Sequence, residues 1–396
     1  MHMADALLSP AVGGMMYVGA AAGAGWALYQ MKKDQFSERQ LPLMAVSGAF
    51  VFAAQMINFT IPGTGSSGHI GGGILLAAML GGCPAMLTMA VVLAIQCLFF
   101  ADGGLLALGA NIFNMGVIPC LIVYPLIFRP LMQWARKSVA MGSGLAGETG
   151  SSGRSGAFSD RRMTLAVVLS AVAGLQLGAF GVVVETFFSG VTELPFGTFM
   201  LLMQPIHLLI GAAEGIITSS ILIYVNHSRP EILISALGAG VQTPCSSCGQ
   251  VQESLEIHEK PGIQKKPEKA GSGKALDGIS IRKILCVFAV LTLLVGGGLS
   301  LFASEYPDGL EWSIEKITGS PELKSPEQGP AAHAAQKAGE VQEKTAVMPD
   351  YEYADGSGGT SAAGILGAVL TCAAAGAIGG GILLARKVGN RKKKNR

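Results

Sequence analysis

Long apolar stretches separated by short polar ones run through the first 230 residues of the chain. They predict seven membrane spans, at about residues 10–30, 41–59, 70–82, 85–100, 105–128, 163–188 and 199–225. Two further apolar stretches, at about 281–302 and 361–385, follow a polar region. The pattern predicts an all-α polytopic membrane protein, in which a seven-span helical bundle precedes a two-span module.

Polar stretches predict the domain boundaries. A seven-span domain at 1–236 is expected to be joined to the two-span module at 281–390 by a flexible cytoplasmic linker, 237–280, rich in Pro, Gly, Lys and Glu. Within the module, residues 304–360 are polar and are expected to form an extracytoplasmic loop.

The amino-acid composition supports a membrane protein and argues against a nucleic acid partner. Half of the residues are hydrophobic and only 14% are charged, which is typical of a protein embedded in a lipid bilayer. The formal net charge of +2 gives no broad basic surface, so no nucleic acid partner is expected. The first thirty residues lack the basic start of a cleavable signal peptide, so the N-terminus is expected to persist.

Lysine and arginine predict the orientation. They cluster after the first, fifth and seventh spans and before the second and sixth, whereas the alternate loops, 61–71, 101–104 and 188–198, contain none. Because basic loops stay in the cytoplasm, the N-terminus is predicted to be extracytoplasmic and the basic C-terminus cytoplasmic.

The first two residues, Met1 and His2, offer a metal chelate. The terminal amine, the backbone amide nitrogen of His2 and its imidazole are three nitrogens on one piece of chain, and they can close two fused rings around an ion. Planar nitrogen sets favour Ni²⁺ or Cu²⁺, and Co²⁺ less strongly. The fourth in-plane position stays open.

His69 is the candidate for that fourth position. It lies in a Gly- and Ser-rich loop on the predicted outer face, and the tail can reach it because nine residues span up to about 30 Å. A solvated loop histidine is the alternative interpretation, favoured if His69 is taken alone. Bound imidazole and amine must lose protons, so metal uptake is expected to weaken at acid pH.

Other polar residues are candidates for supporting roles. Asn58, Ser67, Asn111 and Asn114 could hold the metal-bearing loops by hydrogen bonds, or could join helices. His207 and Glu214 lie seven residues apart on one face of the seventh span. They could serve a transport pathway, a coupling contact or a structural contact.

The sequence contains no complete motif of an enzyme or of a structural zinc site. Cys245, Cys248 and His258 resemble half of a zinc site whose second pair of ligands is missing. No His-Glu-x-x-His pattern occurs, and no catalytic residue, nucleotide-hydrolysing element or organic cofactor is predicted.

Four stretches together resemble the CbiM/NikM family, the substrate-binding subunits of energy-coupling-factor transporters for cobalt and nickel. They are MHMADALLSP (1–10), IPGTGSSGHIGG (61–72), ADGG with NIFNMG (101–104 and 111–116) and HLLIGAAEG (207–215). The resemblance implies Met1, His2 and His69 as metal ligands and Ni²⁺ or Co²⁺ as the transported substrate. It also implies a prokaryotic inner membrane location, a transmembrane coupling subunit and cytoplasmic ATPases as partners. The chain itself is then a transporter subunit without an ATPase.

The stretch YPDGLEW (306–312) resembles the PDGLE domain, a two-span accessory component of the NikN type. In that family the component assists metal loading or release, and it favours nickel over cobalt. The predicted function is therefore capture of Ni²⁺, or of Co²⁺, for an ATP-driven importer. The alternative is a secondary transition-metal transporter driven by an ion gradient.

Overall fold

The computed structural model describes residues 2–33, 40–136, 157–238, 281–323, 329–353 and 359–394. Within these ranges the chain is helical apart from one short β-ribbon, and six helices are long and apolar enough to cross a membrane. Four of these are α1 (Pro10–Lys33), α4 (Gly82–Phe100), α7 (Asp160–Ser189) and α8 (Phe196–Ser228); the others are a rod over Leu108–Ala135 and α13 (Thr360–Lys394). The all-α polytopic membrane fold is confirmed.

The rod is one continuous helix of changing pitch. It begins as α5 (Leu108–Ile112), widens to a π-helix over Phe113–Phe128 and ends as α6 (Arg129–Ala135). Pro119 and Pro125 lie inside the wide section, where prolines remove backbone donors from the helical ladder.

Two apolar helices are shorter than expected. α2 (Gln40–Gln55) has 16 residues, and α3 (Gly73–Leu80) has 8, all of them buried. Eight helical residues are about 12 Å long against a hydrocarbon core of about 30 Å, so the predicted third span cannot cross the bilayer by itself. Gly81, with a φ of +87°, separates α3 from α4 in a conformation that favours glycine.

Small residues let the long helices approach each other. A Cβ added to Gly215 of α8 would lie 2.6 Å from the Cα of Val168 on α7, and one added to Gly211 would lie 3.0 Å from that of Val172. Large apolar side chains such as Leu126 and Leu201 are about 70% exposed, as expected for surfaces that face lipid.

The second module packs against the first. The first part of the chain ends in a short helix, α9 (Pro230–Ala236). In the second module, α10 (Ile281–Gly297) and α13 cross at Gly296 and Gly364, and Gly367 of α13 lies against the ring of Phe52 on α2. The described residues of the predicted loop 304–360 are folded, since they include α11 (Gly309–Thr318), α12 (Pro330–Thr345) and a short turn at Pro349–Tyr351. These elements cover the end of the bundle where the N-terminal tail lies.

Candidate metal centre

Asn111 holds the N-terminal tail in the bundle. Its Oδ1 accepts a hydrogen bond of 2.8 Å from the backbone nitrogen of Met3, and its Nδ2 donates one of 3.3 Å to the Met3 carbonyl. The same carbonyl accepts from the amide of Gly104 at 2.9 Å. Because Met3 is fully buried and paired on both backbone sides, the adjacent His2 is fixed in place. Met1 lies outside the described residues.

A β-hairpin carries His69. Strands β1 (Phe59–Ile61) and β2 (Ser66–Gly68) pair antiparallel, and His69 follows β2 directly. Its Nδ1 lies 3.1 Å from the carbonyl oxygen of Ile70. When that nitrogen donates to the carbonyl, Nε2 carries the lone pair that a metal needs.

Carboxylate and amide side chains on neighbouring helices anchor the backbone after His69. Glu214 on α8 accepts hydrogen bonds from the amides of Gly71 and Gly72, both at 2.9 Å. Gln55 on α2 donates to the Gly71 carbonyl at 2.8 Å and accepts from Gln96 at 3.0 Å. The loop is therefore fixed deep in the bundle by side chains on two helices, α8 and α2, and Gln96 on α4 in turn holds Gln55.

The tail and the hairpin bring His2 and His69 together. Their rings stack with centroids 5.2 Å apart and an interplanar angle of 19°. At a metal–nitrogen distance of about 2 Å, two imidazoles on one ion have centroids roughly 4.5 to 6.5 Å apart, depending on the angle at the ion. The observed separation fits coordination of one ion by both rings.

Burial keeps both imidazoles in the form that binds metal. It lowers the pKa of His69 to about 3 and also lowers the pKa of His2, because desolvation penalises the charged ring. Both rings are consequently neutral near pH 7, as metal coordination requires.

Side chains alone do not make a complete site. Among the residues that the structure describes, no three His, Cys, Asp or Glu side chains are arranged to hold a metal. The prediction from the sequence takes the further ligands of a centre built on His2 and His69 from the Met1 amine and the amide nitrogen of His2.

The second module contacts the hairpin that carries His69. Ser67 donates from its backbone nitrogen to the Pro307 carbonyl at 2.8 Å and from its hydroxyl to the Tyr306 carbonyl at 2.6 Å. The indole Nε1 of Trp312 donates to the Thr64 carbonyl at 3.0 Å. The YPDGLEW stretch thus binds the hairpin that carries His69.

Asp308, in the middle of that stretch, caps α11 by accepting from the amides of Leu310 and Glu311. It lines two cavities together with His69. No pattern in the sequence predicted that this carboxylate would lie beside His69.

The two remaining asparagines predicted to support the site, Asn58 and Asn114, lie in different surroundings. Asn58 lines the larger cavity with His2 and His69, and its carbonyl accepts from the Ser304 amide at 2.7 Å. Asn114 lies apart from them and donates to Glu185 at 2.9 Å, so its observed contact joins two helices.

His207 lies beside the smaller cavity that His69 and Asp308 line. Its Nδ1 is 2.8 Å from the Met203 carbonyl, and its Nε2 has no hydrogen-bond partner among the described residues. Cys245, Cys248 and His258 lie outside the described part of the chain.

Known proteins resemble both parts of the chain. Residues 2–232 match the CbiM family, described as “Cobalt uptake substrate-specific transmembrane region”, and residues 282–385 match the PDGLE domain.

Two curated relatives combine similar parts. The “Putative fused nickel transport protein NikMN” of Archaeoglobus fulgidus is 33% identical over 236 residues, which are 59% of this chain and 68% of that protein. The “Fused nickel transport protein NikMN” of Rhodobacter capsulatus is 31% identical over 246 residues, 59% of this chain and 64% of that protein. A crystal structure of a truncated transition metal transporter covers 57% of this chain at 26% identity, with a TM-score of 0.45.

Proposed function

Because the chain belongs to the CbiM family of transition metal transporters and carries a PDGLE domain, we propose that it captures Ni²⁺, or Co²⁺, for an energy-coupling-factor importer. The ligands in this proposal are the Met1 amine, the amide and imidazole nitrogens of His2, and the imidazole of His69. The proximity of the His2 and His69 rings, with centroids 5.2 Å apart and an interplanar angle of 19°, is the observation that carries it. Only Nδ1 of His2 lies near enough to its own backbone nitrogen to close the second ring.

Transport in this proposal depends on other proteins. A transmembrane coupling subunit and cytoplasmic ATPases would supply the energy, and this chain would contribute no ATPase of its own. The proposed division of labour follows the two parts of the chain: residues 1–236 bind the metal, 237–280 connect, and 281–390 cover and support the site.

The proposed orientation places the metal centre on the extracytoplasmic side of a prokaryotic inner membrane, with the C-terminus in the cytoplasm. The basic loops support this orientation. The contacts between the hairpin and the YPDGLEW stretch also support it, because they require the hairpin and residues 304–312 to share one face.

Nickel is the favoured substrate. Planar sets of nitrogen ligands suit Ni²⁺ better than Co²⁺, and both relatives named above are nickel transport proteins by name.

Uptake of radioactive nickel by cells carrying the whole transporter tests this function. We expect His2→Ala and His69→Ala to abolish accumulation, while His333→Ala on the exposed surface of α12 retains it. Unchanged uptake by His2→Ala would overturn the proposal. Transport by the reconstituted chain alone, driven by a pH gradient, would instead favour a secondary transporter.

A further inference from the structure

Asp102 connects the metal centre to the second module. One carboxylate oxygen, Oδ1, lies 3.4 Å from Nδ1 of His2. The other, Oδ2, accepts a hydrogen bond from the hydroxyl of Tyr351, which lies in the short turn before α13. A single carboxylate therefore touches both a proposed metal ligand and a tyrosine 249 residues away in sequence.

The chain around Tyr351 is built to deliver its side chain to this point. Asp350 and Tyr351 both have positive φ, +51° and +63°, a left-handed conformation that is uncommon for residues other than glycine. The Tyr351 ring stacks on Phe100, with centroids 5.0 Å apart. Just before the turn, the amides of Val347 and Met348 donate to the Phe99 carbonyl at 2.9 and 3.2 Å.

A second side chain from the same segment holds the loop that contains Asp102. Gln342 of α12 donates to the carbonyl of Gly103 at 2.9 Å and to that of Cys97 at 3.1 Å. The backbone on both sides of Asp102 is thus fixed by the second module, and its carboxylate is oriented by Tyr351.

The nitrogen that Asp102 contacts is the one that matters for coordination. Within a chelate through its own amide, His2 can use only Nδ1. In the metal-free protein Nδ1 can carry the proton and donate it to Asp102, which holds the imidazole at one angle before the ion arrives. When the ion takes the lone pair of Nδ1, the carboxylate remains beside it as a negative charge next to a divalent cation. Groups outside the ligand set of a metal site typically change its affinity by about 10- to 100-fold when they are removed.

We propose that Tyr351 is a positioning residue of the metal centre, which acts through Asp102 to orient His2. This inference rests on the proposed function, because it requires that His2 bind the metal. Through the hydroxyl group of Tyr351, the second module would then contribute to metal capture.

Tyr351→Phe is the direct test, because it removes the hydroxyl and keeps the ring that stacks on Phe100. We expect the dissociation constant of the purified full-length chain for Ni²⁺ to rise about tenfold. The absorption bands of the bound Ni²⁺ should shift, because the negatively charged Asp102 carboxylate next to the ion is no longer held in place. Tyr353→Phe, two residues further on and 48% exposed, is the matched control and should leave both unchanged.

A double-mutant cycle separates this role from a merely structural one. Asp102→Asn should weaken Ni²⁺ binding by about 10- to 100-fold, and Tyr351→Phe should add no further loss in that background. Wild-type affinity in Tyr351→Phe, or an equal additional loss in the Asp102→Asn background, would overturn the inference. His2→Ala distinguishes the two proposals: if it still binds Ni²⁺, the proposed function fails as well.

Discussion

The carboxylate of Glu214 accepts a hydrogen bond of 2.9 Å from the backbone amide of Gly71, two residues after His69. Its second oxygen accepts from Gly72 at the same distance. A buried side chain on α8 thereby fixes the loop that carries the hairpin's imidazole. The sequence left a transport pathway, a coupling contact and a structural contact open for Glu214; its two observed hydrogen bonds are a structural contact with the loop after His69.

Glu214→Gln should damage that loop. The side chain of glutamine has one acceptor oxygen, and its NH2 group can only donate, so one of the two backbone amides loses its partner in a buried place. An unsatisfied buried donor costs about 1–3 kcal/mol, and we expect a lower melting temperature together with weaker Ni²⁺ binding. Calorimetry of the purified chain measures both.

Glu193→Gln is the matched control, since Glu193 lies exposed in the connection between α7 and α8. It should change neither quantity. Wild-type affinity and stability in Glu214→Gln would show that the two hydrogen bonds do not hold the loop.

Gly68→Ala should move His69 away from its position. A Cβ at residue 68 would lie 2.6 Å from Cγ1 of Ile210 on α8, which forces the hairpin outward. We expect Ni²⁺ affinity to fall, and Ile210→Ala to restore it in the double variant by removing the obstructing atoms.

Gly197→Ala on α8 provides the control, because an added Cβ there meets nothing within 4 Å. Titration with Ni²⁺ measures the affinity of the wild type, of the two single glycine variants and of the double variant. Failure of Ile210→Ala to restore any affinity would mean that the collision is not the cause.

Alanine variants of Asn111 and Asn114 should have different effects, because Asn111 holds the N-terminal tail whereas Asn114 joins two helices. Asn111→Ala removes both hydrogen bonds to Met3 and frees the tail, so we expect Ni²⁺ affinity to fall about tenfold or more. Asn114→Ala removes the partner of Glu185 and should lower thermal stability while the affinity of the remaining folded protein stays near wild type. Equal effects of the two variants on affinity would contradict this assignment.

The sequence was sufficient to predict the fold class, since apolar length and composition alone predict membrane helices. It could not show that α3 would stay inside the bundle, because an eight-residue apolar helix and part of a span look alike in sequence. The proximity of His2 to His69 was predicted from chain reach and a shared membrane face.

The second module's part in the site could not be predicted. Tyr351 and Asp308 lie in a polar segment that has no periodic signal for tertiary contacts. Their positions depend on backbone pairing with Phe99 and Ser67, more than 200 residues earlier in the chain. Asp102 stood within a recognised motif, but only the structure shows that it touches His2.

The electronic state of bound nickel tests the central claim most directly. If Met1, His2 and His69 supply four nitrogens in one plane, the loaded full-length chain is yellow and diamagnetic. This species should disappear in His69→Ala and in chain whose amino-terminal formyl group has been retained, since the blocked amine cannot coordinate. A paramagnetic nickel centre, or a planar one that forms equally well on the formylated chain, would contradict the account.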